Sequence, residues 1–223
     1  MLNLEEIIEK IKQTPDFLKL KDVVENNAYH DRQKTFDHLV LTCNKAKEIV
    51  KGEFIADLDT RKKFLEFMNK DVFGMKRGDV LVIAALLHDI GKILWFKEGE
   101  TDKPLELVED GITSYPNHEY WGSTIVSDVL ADLDFPEELI KYISDCVRMH
   151  ATFTDSYLMP RIDFPFDKLI NDVKSCSEGL YIETLFNQYC DGFYAEPFQY
   201  AIELITKIFN FKDLYTPRNY YIK

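Results

Sequence analysis

Cysteine is scarce and scattered. The four residues, Cys43, Cys146, Cys176 and Cys190, form no CxxC pair, which excludes the common zinc-finger and thioredoxin patterns. In a chain of 223 residues they are expected to be reduced, buried thiols of a cytoplasmic protein. Long apolar runs are missing too. No stretch reaches the ~18 consecutive apolar residues of a membrane span, so no membrane partner is expected. The N-terminus, Met1-Leu2-Asn3-Leu4-Glu5-Glu6, lacks the basic and apolar regions of a signal peptide. Positive charge is in deficit: 27 Lys and Arg stand against 39 Asp and Glu, for a net charge of -12. An extended nucleic-acid surface would need the opposite balance. A small phosphorylated partner, met by a metal and a few local cations, fits better. Nothing in the sequence indicates an oligomeric state.

Glycine and proline are not concentrated anywhere, and no internal repeat is visible. What fills the chain is helical periodicity. Leu4, Ile7, Ile8 and Ile11 follow i, i+3, i+4, i+7 up to Thr14-Pro15. The same spacing predicts helices over 34–51, 59–69, 118–130, 136–149, 167–175, 179–193 and 197–209. Residues 77–88 are nearly all apolar, which predicts a central buried helix. Residues 98–117 carry glycines, prolines and many charges, and are expected to form a long surface loop. A second irregular stretch is expected from Ala151 to Phe166, and a short β-rich tail at Tyr220-Tyr221-Ile222. The expected organisation is all-α: residues 1–28 as a helical extension and 29–223 as one domain.

The central helix ends in Leu86-Leu87-His88-Asp89-Ile90-Gly91-Lys92. Imidazole beside carboxylate at the mouth of a buried helix suits a hard-to-borderline metal. Lys92 suits a phosphate, or else complements the helix dipole. Only five histidines exist: His30, His38, His88, His118 and His150. His38 lies near a helix start and His118 begins another, with Gly122 one turn on. His150 ends the helix that carries Ile140, Ile143 and Val147. Asp191 sits on an otherwise apolar helix, where a charge needs a partner. Taken singly, a histidine on an apolar face is usually a hydrogen-bonded core residue. Arg148 and Arg161 are candidate phosphate or base contacts, or ordinary surface ion pairs.

The order His38, His88-Asp89, Asp191 resembles the H…HD…D signature of the HD-domain superfamily, and LLHDIGK is its most recognisable segment. His118 and His150 match the two extra histidines of dinuclear members. Local texture is similar to the HD portion of tRNA nucleotidyltransferases. It shows in Tyr29-His30-Asp31, Phe36-Asp37-His38, Asn117-His118-Glu119-Tyr120-Trp121-Gly122 and Phe135-Pro136-Glu137-Glu138-Leu139. The nucleotidyl-transferring domain and its GxS…DxD pattern are absent, so the resemblance carries over a hydrolase half and no tRNA tailing.

This resemblance implies an all-α HD bundle with a metal site at its centre. His38, His88, Asp89 and Asp191 would hold a first divalent ion, and Asp89 would bridge to a second held by His118 and His150. Mn²⁺, Fe²⁺, Co²⁺, Ni²⁺ or Zn²⁺ suit these ligands, with Mg²⁺ possible. The implied activity is phosphoester hydrolysis, with Asp89 and Lys92 as catalytic residues. The substrate is expected to be a nucleotide, and 2′,3′-cyclic phosphodiesterase or nucleotidase-like activity fits the texture. Two other readings share the ligand pattern: a di-iron oxygenase on the HD fold, and a non-catalytic HD module for binding or regulation.

Overall fold

In a computed structural model of the chain, the structure describes residues 3–26, 32–93, 95–98, 101–104, 107–109, 112–153, 165–192 and 196–210. Helix α1 (Leu4–Lys12) opens on a reciprocal cap. The Asn3 side chain accepts from the Glu6 backbone N–H at 3.0 Å, and the Glu6 carboxylate accepts from the Asn3 N–H at 2.9 Å. Thr14 caps the short α2 (Pro15–Lys19), where Pro15 occupies the first turn. Next come α3 (Thr35–Ile49), α4 (Leu58–Asn69) and α5 (Arg77–Leu87). A 3-10 turn, Ile90–Ile93, follows α5 directly. Among the described residues there follow α6 (His118–Ala131), α7 (Glu137–Met149), α8 (Phe166–Cys176), α9 (Tyr181–Asp191) and α10 (Glu196–Asn210).

Helix α5 is the hub. Val80 to Leu87 are all essentially inaccessible, so this helix has no polar face and must be enclosed. It is: α3, α4, α7 and α9 all pack on it. Each fully buried Val, Leu or Ile contributes about 1.5–3 kcal/mol relative to exposure, which fixes the helix in place. Around this hub α6 pairs with α7, and α10 closes over α4 and α9. Phe209 of α10 meets Phe64 and Phe67 of α4 edge-on. The Tyr142 hydroxyl of α7 donates to Glu183 of α9 at 2.7 Å, a buried polar tie between two helices whose far ends carry His150 and Asp191.

One expectation needs correcting. The long surface loop expected at 98–117 instead contains β-structure. Strands β5 (Trp95–Glu98) and β6 (Thr101–Pro104) pair antiparallel, as do β7 (Leu107–Glu109) and β8 (Ile112–Ser114). Helical periodicity fails there because the backbone is extended. Smaller antiparallel pairs join β1 (Val24–Glu25) to β2 (Gln33–Lys34) and β3 (Asp71–Val72) to β4 (Met75–Lys76). Helices α1 and α2 pack on the core. Ile7, Ile8, Ile11 and Phe17 are buried in the same apolar cluster as α5, and β1 is bonded to β8 through Asn26 and Thr113. The expected tail at 220–222, His30 and Arg161 lie outside the described residues. The cysteines are free, and Cys43, Cys146 and Cys190 are buried as expected, but Cys176, at the end of α8, is exposed; among the described residues no helix is long and apolar enough to cross a membrane.

Candidate metal centre

The candidate ligands come from five helices. His38 is the fourth residue of α3, and His88 caps the C-terminal end of α5. Asp89 immediately precedes the 3-10 turn. His118 opens α6, His150 ends α7, and Asp191 is the last residue of α9. The sharp change from α-helix to 3-10 turn after His88 is what turns Asp89 inward beside it.

Asp89 stands between two histidine pairs. Its Oδ2 faces His88 Nε2 at 3.2 Å and His38 Nε2 at 3.8 Å. Its Oδ1 faces His118 Nε2 at 2.9 Å and His150 Nε2 at 3.5 Å. Asp191 Oδ1 joins the first pair, 2.8 Å from His38 and 3.4 Å from His88. Two groups of donors therefore converge, each tightly enough to surround one ion: His38, His88, Asp89 and Asp191, and Asp89, His118 and His150.

The hydrogen bonding shows why these donors suit a metal. His88 Nδ1 donates to the Ala85 carbonyl at 2.9 Å, His118 Nδ1 to Tyr115 at 2.7 Å, and His150 Nδ1 to Val147 at 2.6 Å. A carbonyl only accepts, so Nδ1 carries the proton in all three. In the neutral rings Nε2 then presents a lone pair to the centre. The His118 and His150 Nε2 atoms lie 3.2 Å apart, lone pair against lone pair, and both face a carboxylate. Such a cluster of acceptors is unfavourable unless a proton or a metal ion lies among them. Backbone carbonyls that orient ligating histidines in this way are a general feature of metal sites.

Burial and neighbours set the charge of these groups. Burial alone would lower the His88 pKa, but the Asp89 and Asp191 carboxylates outweigh it and raise it well above 6.5. At His150 burial wins, and its pKa falls below 6.5. Burial would raise Asp89 and Asp191, yet the adjacent histidines, and Lys92 at Asp89, hold both well below the ordinary carboxylate value.

Gly91 and Gly122 allow the two halves to meet. A side chain at Gly91 would collide with the His118 carbonyl and lie 2.6 Å from the Gly122 nitrogen. The 3-10 turn therefore presses directly on the first turn of α6, which brings His118 to Asp89.

The HD domain family matches residues 35–174. The chain belongs to the HD-domain family. That match covers well over half of the chain and agrees with the all-α fold. HD domains are typically metal-dependent hydrolases, and this chain's histidine and aspartate cluster is able to hold a divalent metal. No curated protein matches the chain, and the finer likeness to the HD portion of tRNA nucleotidyltransferases rests on sequence texture alone. Asp191 lies beyond the matched residues, and geometry rather than the match brings it to the cluster.

Two candidate residues have defined carboxylate partners. Lys92 does not face an open phosphate position. It is buried, and its Nζ donates to Asp89 Oδ2 at 2.7 Å and to Glu25 Oε2 at 2.6 Å. Both carboxylates raise its pKa against the effect of burial. Arg148 is a surface ion pair: its guanidinium reaches Glu178 at 2.8 Å and Asp145 at 3.5 Å. Those carboxylates already use its donors. Glu25 is the residue that sequence reasoning missed. It is 1% exposed, 67 positions from Lys92, and sits in a two-residue strand with no motif around it.

Proposed function

We propose that the chain is a phosphohydrolase that holds two divalent ions, one on each side of Asp89, and hydrolyses a small phosphorylated substrate. One observation carries this reading: the two oxygens of a single buried carboxylate are divided between two histidine pairs. A mononuclear site would leave His118 and His150 facing each other and a carboxylate without purpose.

His38, His88, Asp89 and Asp191 form the first ligand group, and His118, His150 and Asp89 the second. When bound, divalent ions supply a water-derived nucleophile at neutral pH and a positive field for phosphoryl oxygens. The residues do the rest. The i-3 carbonyls fix each imidazole with Nε2 inward. Lys92 holds Asp89 Oδ2 in place, leaving Oδ1 for the second pair. The His118 and Asp191 side chains are 20% and 28% exposed, so the site opens to solvent along these two, and a phosphate would enter there. The negative surface of the chain is no barrier, because the bound ions reverse the local field.

A nucleotide is the proposed substrate, and a 2′,3′-cyclic nucleotide or a nucleoside monophosphate the first to try. The support is the nucleotidyltransferase-like texture around His38, His118 and Pro136, which is analogy. The test is a panel of phosphoesters with Mn²⁺, Fe²⁺, Co²⁺, Ni²⁺, Zn²⁺ and Mg²⁺, on the wild type and on His118→Ala. Metal-dependent hydrolysis that collapses in His118→Ala is the expected result. Oxygen consumption with no phosphoester cleaved would replace hydrolysis by the oxygenase reading. No bound metal would leave only the binding module.

A further inference from the structure

One buried charge has no place among the candidate ligands. Glu25 lies in β1, outside the residues matched by the family, yet it reaches the centre. Its Oε2 accepts from Lys92 Nζ at 2.6 Å, and its Oε1 accepts from the Thr35 hydroxyl at 2.7 Å. Lys92 in turn donates to Asp89 Oδ2 at 2.7 Å. A row of alternating charges, Glu25, Lys92, Asp89, thus runs from the N-terminal hairpin to the carboxylate that both histidine pairs face.

The strand is pinned on both sides of Glu25. The Thr35 N–H donates to Val23 at 3.0 Å and the Thr113 N–H to Asn26 at 2.8 Å. The Asn26 N–H donates to the Thr113 hydroxyl at 2.8 Å, and the Tyr115 hydroxyl to the Val24 carbonyl at 3.2 Å. Tyr115 also offers its carbonyl to His118 Nδ1 at 2.7 Å. The seam that places Glu25 therefore also orients a candidate ligand of the second group.

The need for Glu25 is electrostatic. An ammonium 2.7 Å from Asp89 repels any dication that approaches the same carboxylate, and burial leaves little water to screen it. A second carboxylate on the far side of the ammonium cancels that repulsion. We infer that Glu25 is a positioning residue that neutralises Lys92 and holds it on Asp89 Oδ2, so that Asp89 retains its affinity for divalent ions. The inference rests on the two-ion reading above.

The test is Co²⁺ titration of the full chain, followed by visible absorbance and calorimetry, for the wild type, Glu25→Gln, Glu25→Asp, Lys92→Met and the double variant Glu25→Gln/Lys92→Met. Glu25→Gln is expected to weaken Co²⁺ binding about 10–100-fold, the usual cost of losing an outer-shell partner. Glu25→Asp, which keeps the charge, recovers part of that loss. In the Lys92→Met background, Glu25→Gln changes affinity by no more than about threefold, because no ammonium remains to offset. Should Glu25→Gln alone fail to fold, this last pair carries the comparison. Wild-type affinity and absorbance in Glu25→Gln would overturn the inference while leaving the two-ion reading intact. So would an undiminished loss in the Lys92→Met background. A wild type that takes up no Co²⁺ would overturn the two-ion reading, and this inference with it.

Discussion

The two histidine pairs around Asp89 share one carboxylate but not one environment. His38 and His88 are 2% and 0% exposed, and a second carboxylate, Asp191, stands against both. His118 is 20% exposed and His150 5%, and Asp89 is the carboxylate that their Nε2 atoms face. The first group supplies two imidazoles and two carboxylates, enough to close a tetrahedral site. The second supplies three donors, and three leave a position open for water or substrate. Electrostatics divides the same way. Two carboxylates raise the His88 pKa, whereas burial lowers that of His150. On the two-ion reading proposed above, the first ion would be the more tightly held and the second the weaker.

The harshest way to break this comparison is to remove what the halves share. Asp89→Ala should lower affinity for both ions by more than the roughly 10–100-fold typical of outer-shell losses. Elemental analysis after dialysis checks metal content, and far-ultraviolet circular dichroism should show the helices retained.

A gentler perturbation separates the halves. Gly91→Ala places a methyl group against the backbone of His118 and Gly122. Overpacking of this kind costs about 1–3 kcal/mol, and α6 must shift to relieve it. The expected result is loss of the second ion with the first retained, read as a fall from two to one equivalents in a Mn²⁺ titration.

Proton linkage sharpens the contrast in the metal-free protein. His150 has a folded pKa below its ordinary 6.5. Between those values the unfolded chain binds more protons, so stability rises with pH. His88 has a folded pKa above 6.5. Its stabilising contribution is complete below 6.5 and is lost as pH rises through the folded value. From these two residues, urea denaturation in chelator should show a stability maximum near 6.5. His150→Ala removes the rising limb and His88→Ala the falling one. Saturating metal removes the falling limb, since it holds both rings unprotonated in the folded chain, and leaves stability rising with pH up to about 6.5.

The smallest effect is expected outside the site. Arg148 pairs with Glu178 and Asp145 at the surface, and exposed pairs of this sort contribute ~0–1 kcal/mol. Arg148→Ala should leave metal stoichiometry unchanged and shift the urea midpoint little.

The helices and the six candidate ligands were legible in the sequence for one reason. Apolar periodicity and the H…HD…D order are local signals, and burial of α5 at Val80 to Leu87 enforces them. The hairpins between α5 and α6 were hidden by charge. Yet Asp110-Gly111 lies between β7 and β8, and an Asp-Gly pair between extended segments is a hairpin signal. Glu25 was not legible at all. Its role depends on β1 being bonded to β8 and on a lysine 67 residues away, and neither leaves a pattern in sequence. The buried pairing of Lys92 with Glu25 was hidden for the same reason.

On the two-ion reading, Asp89 divides two ions between unlike histidine pairs. A crystal structure of the full chain soaked in Mn²⁺, with anomalous diffraction, tests it most directly. Two peaks about 3.5–4 Å apart are expected, one among His38, His88 and Asp191 and one at His118 and His150, both within bonding distance of Asp89. The second peak should be the weaker. A single peak, or peaks that leave Asp89 unbound, would contradict it.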